Sequence, residues 1–300
     1  MKPILGANQY GKAESRVVRI VRDTARHEIH DLNVSTSLRG DFAAAHTLGD
    51  QSQVLPTDTQ KNTAFAYAKI HGVDSIESYA IALGSRLLEA TPAAEQAQVR
   101  VEEYAWDRLG DHSFVRRGGG VRTAVVTVSR TATHVISGVR DLVVLNSTDS
   151  EFKGFLTDEF TTLAEADDRI LATALVARWR HTRTEGVDWN ASYDEALSTL
   201  LQTFAGTYSR ALQETLHAMG TALLTSLPEL AEVRFSAPNK HHFLVDFSGF
   251  DVEGLTNDGE VFIAADRPYG LIEAEVVRPD APPAATPGSP CRPSVETGVC

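Results

Sequence analysis

The chain has 300 residues, of which 42% are hydrophobic, so it can bury a sizeable core divided between two domains or two repeats. Its formal net charge of −12 and its pI of about 5.3 argue against nucleic acid or an anionic membrane as the main partner, because no basic stripe is available to displace counterions. An anionic substrate would therefore need its own local arginine.

The N-terminal residues lack the apolar stretch of a secretory signal, and no window approaches the roughly 18 apolar residues that a membrane span requires. We therefore expect a cytoplasmic protein. Residues 279–300 are rich in Pro, Ala, Ser, Gly and Thr, which predicts a Pro-rich disordered tail. The two cysteines of the sequence, Cys291 and Cys300, both fall in that tail, so neither a disulfide framework nor a cysteine metal site is expected in the folded region. Whether these thiols pair is left open.

The first half of the chain predicts a hairpin, two helices and two further strands. A charged turn separates the first two β-rich runs, and the helical runs have apolar residues close to a period of 3.6. Asp74 or Ser75 can serve as the N-cap of the second helix. In chain order we predict strands at 17–22 and 28–38, helices at 61–71 and 75–90, and strands at 99–109 and 121–130.

The second half predicts the same order of elements. Its strands are expected at 134–145 and 170–181, its helices at 193–204 and 208–227, and its last strands at 232–236 and 242–247. The simplest summary is two tandem ββααββ repeats, 1–132 and 133–278. An antiparallel sheet with the helices on one face must bury its apolar face against them, which makes the fold class α+β.

Three enzyme motifs are not supported by the sequence: two are matched only in part, and one does not occur. His27-Glu28-Ile29-His30 is one residue short of the zinc-protease pattern, and on a strand its two histidines would face opposite sides. Gly118-Gly119-Gly120 has neither the Gly-Lys-Ser/Thr of a P-loop nor the spacing of a dinucleotide fingerprint. No Gly-Xaa-Ser-Xaa-Gly elbow occurs, so hydrolase chemistry of that type lacks its nucleophile.

Four short segments together resemble the active-site segments of the urate oxidase (uricase) family, bacterial type. They are YGK at 10–12, VLPTDTQKNT at 54–63, SEFKGF at 150–155 and PNKHHF at 238–243, and the resemblance runs in order through residues 10–277. It implies the tunnelling fold, which this family shares with several pterin enzymes. In that fold the sheets of several subunits join into a barrel, so the resemblance also implies a homotetramer with active sites at subunit interfaces.

The resemblance implies a proton network of Lys12, Thr57 and His241. Taken alone, Lys12 would be a solvated charge, since a lysine acts as a base only where its pKa is lowered. Thr57 and Asp58 would by themselves be ordinary N-cap residues. By the match to the family, Lys12 contacts the Thr57 hydroxyl, and Asp58 offers a backbone group to the purine ring.

The resemblance also implies a substrate clamp. Phe152 would supply a ring face for stacking, although core packing is the ordinary role of such a residue. Arg169 and Gln213 would hold opposite edges of the ring through their donors and acceptors, and Leu212 would contact it through its main chain. Asn239 would hold dioxygen or the attacking water together with Thr57, although an Asn after Pro is by itself a common turn former.

The implied reaction is oxidation of urate by dioxygen and water to 5-hydroxyisourate and hydrogen peroxide, with no metal and no other cofactor. Such a reaction requires the protein to make urate electron-rich by removing a proton from it, because triplet dioxygen reacts slowly with closed-shell molecules. Two alternatives remain: a pterin-processing enzyme of the same fold, which typically anchors its substrate with a glutamate, and a purine-binding tetramer without catalysis.

Two departures from the family qualify the resemblance. Eukaryotic relatives often end in a Ser-Lys-Leu-type peroxisomal signal, whereas this chain ends in Thr297-Gly298-Val299-Cys300, which favours a bacterial cytoplasmic origin. Lys153 stands where relatives often carry a bulky aromatic residue, which affects the packing behind Phe152 but not its ring.

Overall fold

The computed structural model describes residues 3–281 of the chain. The helices are α1 (Ala43–Thr47), α2 (Thr57–Ile70), α3 (Ile76–Ala90), α4 (Trp189–Gly206) and α5 (Leu212–Ser226). The strands are β1 (Tyr10–Val21), β2 (Glu28–Gly40), β3 (Ala94–Glu103), β4 (Trp106–Arg108), β5 (Phe114–Arg116), β6 (Val121–Ser129), β7 (Thr133–Asn146), β8 (Leu171–His181), β9 (Leu230–Pro238), β10 (His241–Leu244), β11 (Phe262–Ala265) and β12 (Leu271–Val277).

Eight strands form one antiparallel sheet in the order β1-β2-β3-β6-β7-β8-β9-β12, so β1 and β12 are its edges. The four long helices pack on one face of it. Strand β3 shows why: Ala97, Val99 and Val101 are fully buried toward α3, while the alternating residues Gln98 and Arg100 point away from the helices. We call the opposite side, which no helix of residues 3–281 covers, the helix-free face. No helix in this range is long and apolar enough to cross a membrane.

The α+β class and the repeated order of two strands, two helices and two strands are confirmed. Buried apolar residues form one cluster on the elements of the first half and a second cluster on those of the second half, with Val135 and Trp189 reaching into the first. Ser75 is the predicted N-cap of α3, its hydroxyl accepting from the Ser78 N–H at 3.1 Å. The division of the chain at 132/133 remains a proposal, and the predicted tail lies outside the described residues from 282 on.

Two predicted strands differ from the structure. The strand expected at 99–109 ends at Glu103, one residue before the Tyr104 N–H makes a last bond to the Asp31 carbonyl of β2, and the chain then continues into a ribbon of β4 and β5. The strand expected at 242–247 forms β10, which pairs with β11 instead of the main sheet. The eighth strand is β12, whose alternation of half-buried Ile272, Ala274 and Val276 with exposed residues is a strand signal that the prediction did not use.

A buried polar network joins the two halves under the helices. The Glu77 carboxylate, on α3, accepts from Arg122 of β6 at 2.7 Å and from the Ser137 hydroxyl of β7 at 2.8 Å. Ser137 also contacts Nε2 of His181 on β8 at 3.0 Å, and the His181 ring lies edge-on to Trp189 of α4. Burial raises the pKa of Glu77, while Arg122 and Ser137 act in the opposite direction. The network therefore ties five elements together: α3, β6, β7, β8 and α4.

Candidate active site

The predicted site residues lie at two opposite ends of the sheet. The Lys12 end is where β1 and β7 begin and where β2 and β6 finish. The Arg169 end is where β8 and β12 begin and where β7 and β9 finish. These two names are kept below.

At the Lys12 end, strand β1 and helix α2 are joined by a buried hydrogen bond. Lys12 is half-buried and pairs with Thr36 of β2, immediately before a bulge in β1. The Thr36 hydroxyl donates to the side-chain carbonyl of Gln60 at 2.8 Å, and Gln60 is fully buried. Because Gln60 lies one turn after Thr57 in α2, this bond holds the start of the helix against the strand that carries Lys12.

Helix α2 begins without a side-chain cap. Its N-cap is Pro56, and the Asp58 carboxylate accepts from Lys61 and Asn62 instead of from the helix backbone. The capping role that local pattern suggested for Thr57 or Asp58 is therefore not realised. Among residues 3–281 the Thr57 hydroxyl and the Asp58 N–H have no hydrogen-bond partner, as is usual for the first N–H groups of a helix. These groups are available to a ligand.

Lys12 lies close to the first turn of α2. The pKa of Asp58 is lowered mainly by the hydrogen bond from Lys61, and the positive charge of Lys12 contributes as well. The loop before the helix is fixed by the Leu55 N–H, which donates to the Tyr10 hydroxyl at 2.9 Å. Lys12 therefore lies near the first turn of α2, and its contact with the Thr57 hydroxyl stays a prediction.

At the Arg169 end, Arg169 lies over Phe152. The centre of the guanidinium is 5.0 Å from the centroid of the Phe152 ring, which also stacks on Phe155 at 5.0 Å. Phe152 is held in place by two backbone hydrogen bonds with Ala166, at 2.8 and 3.0 Å. Arg169 is half-buried, burial lowers its pKa, and its Nε has no partner among the described residues. Arg169 and Phe152 thus form a flat platform, and the Arg169 Nε–H has no hydrogen-bond partner among the described residues.

Three chain segments are tied together around this platform. Asp168 accepts from the Thr148 hydroxyl at 2.7 Å and from the Ser150 N–H at 3.2 Å. Ser150 in turn bridges to Ser209, whose carbonyl accepts from the Glu151 N–H at 2.9 Å. These bonds lower the pKa of Asp168, the hydrogen bond from Thr148 most of all. They place the start of α5 beside the Phe152 segment.

Leu212 and Gln213 are the first two residues of α5. The Leu212 side chain is buried in the second core cluster, so only its main chain faces the site, and the Gln213 side chain is exposed. The helix was expected from 208, but residues 208–211 instead form the bridge to Ser150 and the N-cap Ala211. Gln213 is therefore held at a helix end and not in mid-helix.

Asn239 and His241 also lie at the Arg169 end. Asn239 bridges to Thr173 near the start of β8, and its N–H donates to the Gly270 carbonyl at 2.8 Å. His241 opens β10 and stacks on Phe243, with ring centroids 5.8 Å apart. Within one chain His241 therefore lies with Arg169, and not with Lys12 and Thr57 in whose proton network the sequence put it.

The two ends of one sheet are too far apart to form a single site. Strands β1 and β8 are separated by five strand-to-strand steps, which is about 24 Å across the sheet at the usual spacing. The residues also lie at opposite ends of their strands. A site that uses both groups of residues must therefore take them from two copies of the chain.

Sequence reasoning missed the residues that support the site. Gln60, Ala64 and Ala68 follow one another at helical spacing and are all buried, so a polar residue stands on the apolar stripe of α2. That conflict was a usable signal. No sequence signal indicated Asp168, because its hydrogen-bond partners come from residues 148–150 and depend on the fold of the loop.

Comparison with known proteins supplies the family. A protein-family model described as Uricase matches residues 8–127 and 135–273. A uricase of Arthrobacter globiformis is 49% identical over 279 residues, covering 92% of this chain and 91% of that protein. A uricase of Oryctolagus cuniculus is 36% identical, covering 90% of this chain and 93% of that protein.

Solved structures agree with this assignment. The crystal structure of the Arthrobacter globiformis uricase superposes with a TM-score of 0.90 at 48% identity, covering 96% of this chain and 99% of that one. A uricase of Bacillus fastidious, at 24% identity and a TM-score of 0.78, shares the fold. With a family match over most of its length and relatives at 36–49% identity, this chain belongs to the uricase family.

Proposed function

We propose that the chain is a urate oxidase that converts urate, dioxygen and water into 5-hydroxyisourate and hydrogen peroxide without a cofactor. The observation that carries the proposal is the stacked pair of Arg169 and Phe152. It offers a flat, partly buried surface for a planar ring, beside an Arg169 guanidinium whose buried Nε has no hydrogen-bond partner among the described residues. Membership of the uricase family supports urate as the ring that binds there.

The clamp holds urate by its face and edges. Phe152 stacks under the ring, and the guanidinium of Arg169 donates to one anionic edge with the rigid geometry that a lysine lacks. Gln213 can both donate and accept, so it fits the opposite, amide-like edge. The main-chain groups of Leu212 and Asp58 complete the set, each at the first turn of a helix, where N–H groups are unpaired.

The base network removes a proton from bound urate. The amine of Lys12 takes the proton of the Thr57 hydroxyl, and the Thr57 oxygen takes one from urate. The electron-rich urate then reduces dioxygen, which Asn239 holds above the ring. Dioxygen gains two electrons and two protons to become hydrogen peroxide, and water adds its hydroxyl to the oxidised ring. His241 belongs to the same network and relays the proton that water releases.

A complete site requires a second subunit. Lys12, Thr57 and Asp58 lie at one end of the sheet, and the remaining groups lie at the other, near the opposite edge. We propose that the open edges β1 and β12 pair between copies, so that the sheets close into a barrel and the two ends meet. The expected assembly is a homotetramer of closed symmetry in the cytoplasm.

The test is the reaction itself. Purified protein mixed with urate should remove the ultraviolet absorbance of urate and release one hydrogen peroxide per urate consumed. Metal analysis and a visible spectrum of the same sample should show neither stoichiometric metal nor flavin. Binding of urate without consumption would instead support the purine-binding tetramer, and turnover of a pterin in place of urate would support the pterin enzyme.

A further inference from the structure

The side chains of Tyr10 and Lys12 face the helices from strand β1. Lys12 pairs with Thr36 of β2, and Thr36 is buried on the side of the sheet that the helices cover. Tyr10, two residues earlier, pairs with the buried Leu38 and packs against the first core cluster. Because directly opposed residues of antiparallel strands project to the same side of a sheet, Lys12 and Tyr10 share this side.

The backbone on either side of Lys12 is held to β2. Before it, Gly11 lies so close to β2 that an added Cβ would be 1.9 Å from the Thr36 carbonyl oxygen. After it, Glu14 takes a left-handed conformation, with φ of 56°, in the bulge of β1. The Glu14 N–H donates at 2.9 Å to the hydroxyl of Ser35, which strand alternation places on the helix-free face. Strand β1 is therefore a fixed support for Lys12.

The loop that leads into α2 is held at both polar groups of one residue. The Leu55 N–H donates to the Tyr10 hydroxyl at 2.9 Å, and the Leu55 carbonyl accepts from the Gln60 amide nitrogen at 3.4 Å. The Gln60 carbonyl oxygen accepts from the Thr36 hydroxyl at 2.8 Å, and Gln60 is fully buried. We call the residues joined by these three bonds the Gln60 network: Tyr10, Leu55, Gln60 and Thr36.

The Gln60 network encloses the start of helix α2. Thr57 lies two residues after Leu55 and one turn before Gln60, so the backbone is anchored on both sides of it. The anchors on the sheet are Tyr10, two residues before Lys12, and Thr36, the register partner of Lys12. The same bonds that hold Thr57 therefore end on the residues next to Lys12.

We propose that Gln60 is a positioning residue, which sets the distance between the Lys12 amine and the Thr57 hydroxyl. A buried amide is costly unless its groups are bonded, and in Gln60 both the oxygen and the nitrogen have partners. A misplacement of about 1 Å between reacting groups costs about 10²-fold in rate, so small shifts of the helix matter. The inference rests on the proposed proton transfer from Thr57 to Lys12 and adds the group that aligns it.

The test is steady-state oxidation of urate by variants that break the bond between Thr36 and Gln60. Gln60→Met and Thr36→Val should each lower kcat by about 10–10²-fold. They should change KM by less than about three-fold, because the face and two edges of the ring are held at the Arg169 end. Thr36→Ser keeps the hydroxyl and should retain most of kcat.

A double variant separates positioning from stability. Replacing both partners of a buried hydrogen bond by apolar groups of similar shape is nearly neutral for stability. Thr36→Val combined with Gln60→Met should therefore recover most of the unfolding midpoint that each single variant loses, while kcat stays low. Recovery of kcat together with the midpoint would show that the bond has only a structural role.

Tyr79→Phe is the matched control. The Tyr79 hydroxyl donates at 2.8 Å to the Ala64 carbonyl, one turn further along α2, and both residues are buried. This variant should lower the unfolding midpoint to a similar extent but keep kcat near that of the wild type. An equal loss of kcat in Tyr79→Phe, or an unchanged kcat in both Gln60→Met and Thr36→Val, would overturn the proposal.

Hydrogen exchange at the Leu55 amide provides a readout that needs no turnover. Gln60→Met releases the carbonyl of the same residue and should speed this exchange, whereas Tyr79→Phe should not. A wild type that consumes no urate would refute the proposed oxidase, and the exchange rates would still decide whether Gln60 holds the loop. Normal turnover of the wild type with unchanged exchange in Gln60→Met would refute only the role of Gln60. Should Gln60→Met fail to fold, Thr36→Val, which leaves the helix sequence intact, provides both measurements.

Discussion

The Lys12 end and the Arg169 end of the sheet are built in different ways. At the Lys12 end one buried hydrogen bond, from Thr36 to Gln60, fixes the helix, and the reactive groups themselves have few partners. At the Arg169 end several backbone and side-chain bonds tie three loop segments to one another. The groups proposed to transfer protons are thus left free to change partners, whereas the groups proposed to position a ring are held by their surroundings.

The repeats do not contribute equivalent positions to these ends. In the first half the start of the earlier helix, α2, carries Thr57 and Asp58, whereas in the second half the start of the later helix, α5, carries Leu212 and Gln213. The common scaffold therefore supplies helix first turns at both ends of the sheet. The local sequence then determines which of those first turns carries candidate site residues.

The largest expected effect is loss of the base. Lys12→Met should lower kcat by about 10²–10⁴-fold while leaving the affinity for a non-reactive urate analogue nearly unchanged. Lys69→Met, in the last turn of α2, is the matched control and should keep full activity. Steady-state turnover and analogue titration measure both quantities. Unchanged turnover in Lys12→Met would show that the assigned base is wrong.

Mixing two inactive variants tests whether the two ends meet between copies. Lys12→Met and Arg169→Gln damage opposite ends, so a mixed assembly contains some sites with both ends intact. If subunits refold together at random in equal amounts, about a quarter of wild-type activity should return. Each variant refolded alone is the control. Recovery no greater than the sum of the two would contradict a shared site.

The junction between the halves should be the most sensitive point of the scaffold. Arg122→Met leaves the buried Glu77 carboxylate without its ion-pair partner and should lower the free energy of unfolding by about 3–5 kcal/mol. Arg86→Met breaks an exposed pair with Glu89 on the same helix as Glu77 and should change it by less than about 1 kcal/mol. Urea unfolding at one fixed protein concentration compares the two, and equal losses would refute the role of the network.

Acid should weaken the same junction. Burial lowers the pKa of His181 to about 4 from 6.5, so between these values the unfolded chain binds a proton that the folded chain does not. Stability should therefore fall as the pH drops from about 6.5 to about 4, by about 3 kcal/mol in total. His181→Gln should flatten this dependence, and the exposed His217→Gln should not. Unfolding midpoints measured across this pH range provide the check.

Much of the fold could be predicted because the apolar pattern follows the elements. The alternation in β3 and the helical period of α3 both match the buried faces. The end of β3 at Glu103 could not be predicted, since it depends on pairing with β2, a strand distant in sequence. The ribbon of β10 and β11 was likewise mistaken for part of the main sheet, because strand pairing depends on contacts distant in sequence.

The site residues could be named from motifs, but their grouping could not. Thr57 and Asp58 stand in a contiguous motif beside Gln60, whose burial against Thr36 depends on the packing of α2 on the sheet. Arg169 and Phe152 lie seventeen positions apart in a loop, and only the fold places one above the other. Short-range pattern thus suggested the candidate residues, and long-range contacts decided which of them lie together.

Among residues 3–281 of a single copy, the outer sides of strands β1 and β12 leave two rows of backbone amides and carbonyls without strand neighbours. An extended peptide can pair with such an edge as an additional strand, which makes an isolated subunit prone to aggregate. Pairing of β1 with β12 between copies would remove these unpaired edges, and the same step would complete the proposed active site. We therefore expect activity and solubility to be lost together on dilution, and ligands that favour closure of the ring to preserve both.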